Sequence, residues 1–386
     1  VITDGISQDE AVATALWNNA AFQENLSKLG LARADLAQAG MLANPTLSVL
    51  FPLGPKQLEF AAVFPLEAIW LRPRRVAIAQ FDAGRVADGL VQSGLDLVRD
   101  VRAGLSDLGM ARDKARLGRE AIALRERIAQ ITEARQRAGE GSELDTAAAN
   151  AELVRARDEA RRVERDVSMA EQRLLHLLGV MGVITNATFV PPVTTPAVEM
   201  PLLDLERRAL AARPDLRASE LAVEAAGKRA GLARAEIFAL SGIIDANANG
   251  KEGFEIGPGA QVPIPIFNQN QAGRARAAAE IERAAWNYIG TRQRITLEVR
   301  EAHAKYQQAE EALQNWNTQL VPSLEELVHG SEKAYELGEL SPLTVQENVR
   351  QLLTARVRQA ELAADLRRAW AELERSVGTR LGSTSR

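Results

Sequence analysis

From Phe254 onward the chain alternates with period two, in a sequence otherwise written in the period of a helix. Phe254, Ile256, Ala260, Val262, Ile264 and Ile266 fall on one face, with Glu255, Gly257, Gly259 and Gln261 on the other. Gly250-Lys251-Glu252-Gly253 reads as a turn, and before it Ile244, Ala246 and Ala248 alternate with Asp245, Asn247 and Asn249. The stretch from Ser241 to Gly273 therefore predicts a hairpin, with Pro263 and Pro265 near its end, where a ladder can stop. An apolar face opposite a polar one, in strands of about ten residues, is the pattern of a membrane β-barrel.

The rest of the chain limits what such a hairpin can join. It is 46% hydrophobic but only 4% aromatic, with 25% charged residues, which favours extended helical packing over one large globular core. A net charge of -4 gives no electrostatic case for nucleic acid. Without cysteine, disulfides and thiolate metal sites are excluded. No run of eighteen apolar residues is present, so no transmembrane helix is expected. The chain opens on Val1-Ile2-Thr3 without a signal-peptide pattern and is read as mature or trimmed.

In order, Ser7-Gln8-Asp9-Glu10 starts a helix with a capping box, a break falls near Asn18-Asn19, and a second segment runs to about Met41, ended by Asn44-Pro45. A first hairpin follows over about 46–66. Leu47, Val49, Phe51 and Leu53 share one face, and Leu58, Phe60, Ala62, Phe64 and Leu66 share one beyond the Gly54-Pro55 turn. Past Pro73 the pattern is helical over about 74–138, a rod of roughly 95 Å that must pack against other rods. A return helix over 142–178 completes the first half, residues 1–190, and a proline-rich linker over 191–201 follows it.

The same order then recurs over 202–386: a short helix to Ala212, a longer one ending near Leu240, the hairpin over about 241–267, and long helices over about 271–337 and 342–377. Pro322 is expected to kink the first of these. Ala15, Leu16 and Phe22 align with Ala209, Leu210 and Leu216 at an offset of 194, and Pro65 with Pro263 at 198. Gly139, Ser142 and Leu144 align with Gly338, Ser341 and Leu343 at 199. The fold class is thus mainly α with a small β part, a tandem repeat of long coiled-coil helical hairpins with two β-hairpins per chain. Four strands cannot close a barrel, and open sheet edges are not tolerated in lipid. Three chains would supply twelve strands, an even number within the known range.

Over nearly its full length the chain resembles the TolC family of outer-membrane efflux ducts. The signs are the tandem repeat, Asn44-Pro45-x-Leu47-Ser48, Arg213-Pro214-Asp215-Leu216, the run Pro263-Ile264-Pro265-Ile266-Phe267-Asn268-Gln269-Asn270-Gln271, and the two helical tip motifs. The Phe-Asn-x-Asn-Gln form is most similar to the heavy-metal cation efflux branch. The resemblance implies a homotrimer, with a 12-stranded barrel in the outer membrane of a Gram-negative bacterium and an α-helical tunnel in the periplasm. It also implies outer-membrane lipid, a periplasmic adaptor (membrane fusion protein) and an inner-membrane RND-type transporter as partners, with no cofactor.

Arg137-x-Gly139-x-x-Ser142-x-Leu144-Asp145 and Gly338-x-x-Ser341-Pro342-Leu343-Thr344 resemble the family's periplasmic tips, where adaptor hairpins dock. The same residues suit a plain turn: glycine in a left-handed position, serine as N-cap, Pro342 in the first helical position, and Asp145 completing a capping box with Ser142. The family's tunnel narrows near these tips at rings of acidic residues, six and nine residues after the second tip glycine. Those positions are Thr344 and Glu347 here, and Asp145 and Ala148 in the first repeat. Asp145 and Glu347 are accordingly candidate gate residues, against the reading of an ordinary solvated helix face.

His176, His303 and His329 are scattered without metal-ligand spacing. Trp70 lies where an interfacial anchor or a packing residue would sit, whereas Trp17, Trp286, Trp316 and Trp370 fall in helices and are expected to pack. Arg72, Arg74 and Arg75 belong either at a barrel rim near headgroups or in an upper tunnel. No nucleophile–base pair, phosphate loop or paired-carboxylate signature points to an enzyme. The leading function is a passive exit duct for a tripartite pump, with heavy-metal cations as the candidate cargo. The alternative is a water-soluble periplasmic helical rod, structural or adaptor-like, whose strands would pack one face on helices.

Overall fold

A computed structural model describes residues 5–51, 58–183, 188–190, 200–248, 254–337 and 339–381. The two hairpin turns, most of the proline-rich linker and Gly338 lie outside the described residues. In chain order the elements are α1 (Gln8–Asn18), α2 (Ala20–Ala39), β1 (Thr46–Leu50), β2 (Glu59–Pro65), α3 (Glu67–Arg137), α4 (Glu143–Leu178), α5 (Leu202–Ala212) and α6 (Pro214–Ala235). Then come β3 (Ser241–Ala248), β4 (Phe254–Gln261), α7 (Gln271–Asn315), a π-helical turn (Trp316–Leu320), α8 (Val321–Glu336) and α9 (Pro342–Val377). They fall into two compact units: residues 1–23, 93–212 and 295–386, and residues 24–92 and 213–294. Each unit takes a piece of both sequence repeats.

The second unit holds a four-stranded antiparallel sheet in the order β1-β2-β3-β4. The pairing of β2 with β3 joins the hairpins of the two repeats, which the hairpin signals alone do not dictate. The registers Leu47↔Ala62, Ala62↔Ile244 and Ile244↔Pro258 put one apolar row across all four strands, and Val49↔Phe60, Phe60↔Ala246 and Ala246↔Ile256 put a second beside it. The opposite face carries Glu59, Asn247 and Glu255 in one row and Asp245 in the next. Among the described residues, the outer edges of β1 and β4 pair with no strand. The alternation expected through Ile266 stops as a ladder at Gln261, because β3 begins at its partner Ser241 and nothing remains for later residues to pair with.

Arg213-Pro214-Asp215 is explained within the same unit. Pro214 opens α6, where a missing N–H costs nothing, and the buried Arg213 guanidinium donates to both oxygens of Asp215 at 2.9 and 2.6 Å. Burial pushes the Asp215 carboxyl up, but the bonds from Arg213 and the charge of Arg294 outweigh it and hold it below the ordinary value.

In the first unit, Leu97, Val101, Leu105 and Leu108 of α3 recur every three or four residues and meet Leu174, Leu175 and Leu178 of α4. The Ser7 capping box is present, and α1 closes this core with Ala11, Val12 and Ala15. A second core is a coiled-coil seam: Val321, Val328 and Tyr335 of α8, in heptad spacing, pack on Val345, Val349 and Leu352 of α9. Charged pairs stitch antiparallel helices across their polar flanks, among them Lys114–Glu361 at 2.7 Å, Arg99–Glu372 at 3.1 Å and Arg375–Asp96 at 2.7 Å.

Several expectations are corrected. The first long helix begins at Glu67, not past Pro73, since the Glu67 N–H is satisfied by the Leu240 carbonyl and Ala68 and Leu71 are buried. The helix absorbs Pro73 at the cost of one backbone bond. Helix α6 ends at Ala235, short of Leu240. Pro322 is met by the π-helical turn just before it, where the Val321 N–H reaches the Trp316 carbonyl five residues back. This wider turn changes the bonding register before the residue that has no N–H to give. Trp370 packs edge-on against Tyr306 and Trp316 joins the second core, but Trp17 and Trp286 are 79% and 64% exposed. Trp17 is out of phase with the buried stripe Ala11, Val12 and Ala15 on α1.

Helices α4 and α9 end on left-handed glycines one repeat apart, Gly179 with φ +70° and Gly378 with φ +77°. A Cβ on Gly179 would stand 2.2 Å from the Asn18 carbonyl oxygen, whereas one on Gly182, φ +80°, would meet nothing within 4 Å. Gly182→Ala should cost the left-handed penalty alone, about 1–2 kcal/mol, and Gly179→Ala clearly more. Thermal melts of the two variants check the order; equal losses would contradict the close approach.

Candidate gate and docking tips

The first tip is a helix stop followed at once by a helix start. Gly139 has φ +80°, its N–H donates to the Gln136 carbonyl at 3.0 Å, and the Glu140 N–H reaches the Arg135 carbonyl at 2.9 Å. This is the Schellman arrangement that satisfies the last carbonyls of α3. Arg137 Nε donates to the Glu133 carbonyl at 3.4 Å, still within the helix. Ser142 then caps α4, its Oγ accepting the Leu144 N–H at 3.1 Å. A capping box with Asp145 would use the next amide, so that expectation is not met, and Asp145 stands exposed.

The second tip repeats the geometry. The Glu339 N–H reaches the Ala334 carbonyl at 2.8 Å, the counterpart of Glu140 and Arg135 at the same offset of 199. Ser341 Oγ accepts the Thr344 N–H at 3.4 Å and caps α9, with Pro342 in its first turn. Gly338 itself lies outside the described residues. Both turns leave a large apolar side chain in solvent at the same place, Leu144 at 77% and Leu343 at 72% exposure, and the second tip also exposes Leu337 at 75%. The tips also meet: the Arg135 guanidinium lies 5.2 Å over the ring of Tyr335.

The two candidate gate carboxylates are not brought together. Glu347 borders a groove of about 300 Å³ between α3, α4 and α9, lined by Arg125, Glu152, Arg155, Leu343 and Arg350, and Asp145 takes no part in it. Arg350 donates to both Glu347 oxygens at 2.8 and 2.6 Å, and Gln351 donates at 3.0 Å. Those bonds, with Arg350 first, pull the Glu347 carboxyl from its ordinary 4.5 down to about 2. Glu152 bridges Arg125 at 3.2 Å and Arg155 at 2.6 Å on the other wall, and its charge is also felt by Arg350.

Residues 205–379 match the outer membrane efflux protein family. That match is confined to the second half of the chain. The whole chain is 23% identical over 391 aligned residues to the cobalt-zinc-cadmium resistance protein CzcC of Cupriavidus metallidurans, covering 97% of this chain and 90% of that one. Its fold is that of known outer-membrane channels. The crystal structure of CusC superposes with a TM-score of 0.82 at 20% identity, over 97% of this chain and 92% of the other. The outer membrane protein VceC from Vibrio cholerae gives 0.79 at 17% identity, over 96% of each.

The efflux-protein domain contains the second tip, Glu347 and Arg350, while Glu152, Arg125 and Arg155 come from the preceding repeat. Sequence reasoning missed these basic partners because arginine recurs throughout the helices, and only helix packing selects which ones face a carboxylate. The Glu347–Arg350 spacing of three residues was the one available signal. Because the Glu347 pKa is lowered, the pair is fully formed above the ordinary 4.5 and opens only as pH falls through about 2. Any change in conductance between neutrality and that ordinary value should therefore persist in Glu347→Gln; planar-bilayer recordings across the range check this, and its disappearance would put the titrating group at Glu347.

Proposed function

We propose that the chain is one protomer of a homotrimeric exit duct in the outer membrane of a Gram-negative bacterium, with its helical part in the periplasm. The duct passively conducts what an inner-membrane RND-type transporter delivers through a periplasmic adaptor. The observation that carries this reading is the sheet. One face is apolar along every strand and exposed, as at Leu47, Ile244 and Ile256, while the other bears Glu59, Asp245 and Glu255, and both edges are unpaired. In lipid such edges must be closed, and further copies of the same sheet close them with the apolar faces turned to acyl chains. A soluble rod would bury that face on helices, so the sheet does not favour that alternative.

Leu144 and Leu343, presented by two turns of similar build that carry Arg137, Gly139, Ser142 and Ser341, suit paired adaptor hairpins, with Gly338 proposed as part of the second docking motif. Release at the tips would act through Arg350, which is bonded to Glu347 within α9 and feels the charge of Glu152 on α4. Asp145 would act as a separate, exposed carboxylate. Heavy-metal cations are the proposed cargo, on the likeness to CzcC and on the carboxylates of the sheet's polar face.

The test is the mass of the detergent-extracted protein with single-channel conductance on the same sample. A trimer that inserts and conducts with cation preference is expected, with Arg350→Ala raising the conductance of the resting state. A water-soluble monomer that never inserts would overturn the duct.

A further inference from the structure

Beyond the row Pro65↔Ser241↔Gln261, where three strands end together, the chain exposes large apolar side chains. Trp70 stands in the first turn of α3, Phe238 before β3, and Ile264, Ile266 and Phe267 after β4; Phe267 is 92% exposed. The last three belong to an insertion. The first repeat enters α3 two residues after Pro65, whereas the second enters α7 eight residues after Pro263.

The insertion is firmly built. Asn268 Oδ1 accepts the Asn270 N–H at 2.9 Å and Gln271 Oε1 accepts the Gln269 N–H at 3.0 Å. Asn270 takes φ +58° and donates from Nδ2 to the Ala233 carbonyl at 2.8 Å, near the end of α6. Arg74 donates to the neighbouring Gly231 carbonyl at 3.1 Å, so α3 and the insertion grip the same helix end. A pinned segment that holds three large apolar groups in water calls for a cover.

Charge identifies the cover. Arg72, Arg74, Arg234, Arg274 and Arg276 are exposed around this rim, against the carboxylates Glu67, Glu236 and Glu280, the last paired with Arg276 at 3.4 Å. Arg72, Arg234 and Arg274 form no ion pair among the described residues. Val262, Ile264 and Ile266 also continue the alternation of the sheet's apolar face, carrying it past the last ladder bond. An apolar and aromatic belt bordered by free guanidinium groups matches the boundary between acyl chains and phosphates.

We propose that this rim is an anchoring site for anionic phospholipid of the periplasmic leaflet. Ile264, Ile266, Phe267, Phe238 and Trp70 enter the acyl boundary, and Arg72 and Arg274 bind the headgroup phosphates. The proposal rests on the duct reading, and the experiment separates the two. The trimer is reconstituted in nanodiscs of phosphatidylcholine with phosphatidylglycerol, its conductance is recorded, and the lipid it retains on gentle extraction is identified by native mass spectrometry.

The wild type should retain phosphatidylglycerol over phosphatidylcholine. Arg72→Ser/Arg274→Ser should lower that preference about thirtyfold, and Arg72→Lys/Arg274→Lys should keep it. Brominated acyl chains should quench fluorescence that Trp70→Phe removes. A conducting trimer whose lipid preference is the same in the serine variant overturns the anchor alone, as does photocrosslinking of position 267 to a second copy instead of lipid. A wild type that forms no conducting trimer overturns the duct and the anchor together.

Discussion

A sheet with one apolar face, one polar face and two unpaired edges is unstable by itself in water and in lipid alike. Water disfavours the row Val49, Phe60, Ala246 and Ile256, and lipid disfavours the open edges of β1 and β4. A closed ring of copies meets both demands, because it turns the apolar rows outward and leaves no backbone edge. In the proposed duct, that constraint accounts for four strands per chain and for the carboxylates on one face.

The helical unit solves a different problem. Helices of 71, 45 and 36 residues have little interior, so their cores are narrow stripes of Leu, Val and Ala. Beside the stripes run ion pairs such as Lys114–Glu361 and Arg375–Glu298. Individually these partly exposed pairs contribute little to stability. Their value is in register, since a long helix that slips by one turn would set like charges opposite one another. At the tip, Arg350 is bonded to Glu347 within α9 and also feels the charge of Glu152 on α4.

Much of this was legible in the linear chain because helices and strands have distinct periods. Ser142, Ser341 and Pro342 mark helix starts, and Gly139 marks a stop, by local stereochemistry that needs no distant partner. Where the reading missed, something distant had intervened. The start of α3 moved to Glu67 because Leu240 supplies an acceptor, and Trp17 and Trp286 stand 79% and 64% exposed in the single chain. The capping box at Asp145 failed because Ser142 already holds the Leu144 amide.

The sequence by itself determined the repeat, the periods, the polarity of each strand face and the two tip turns, all of which depend on neighbours within a few residues. Tertiary structure alone decided that β2 pairs with β3, that Arg350 rather than Arg125 neutralises Glu347, and that Asn270 braces an exposed apolar insertion against α6. Those outcomes depend on which of many similar side chains are brought within a hydrogen bond's reach. That selection is made by the packing of whole helices and strands, and spacing along the chain does not encode it.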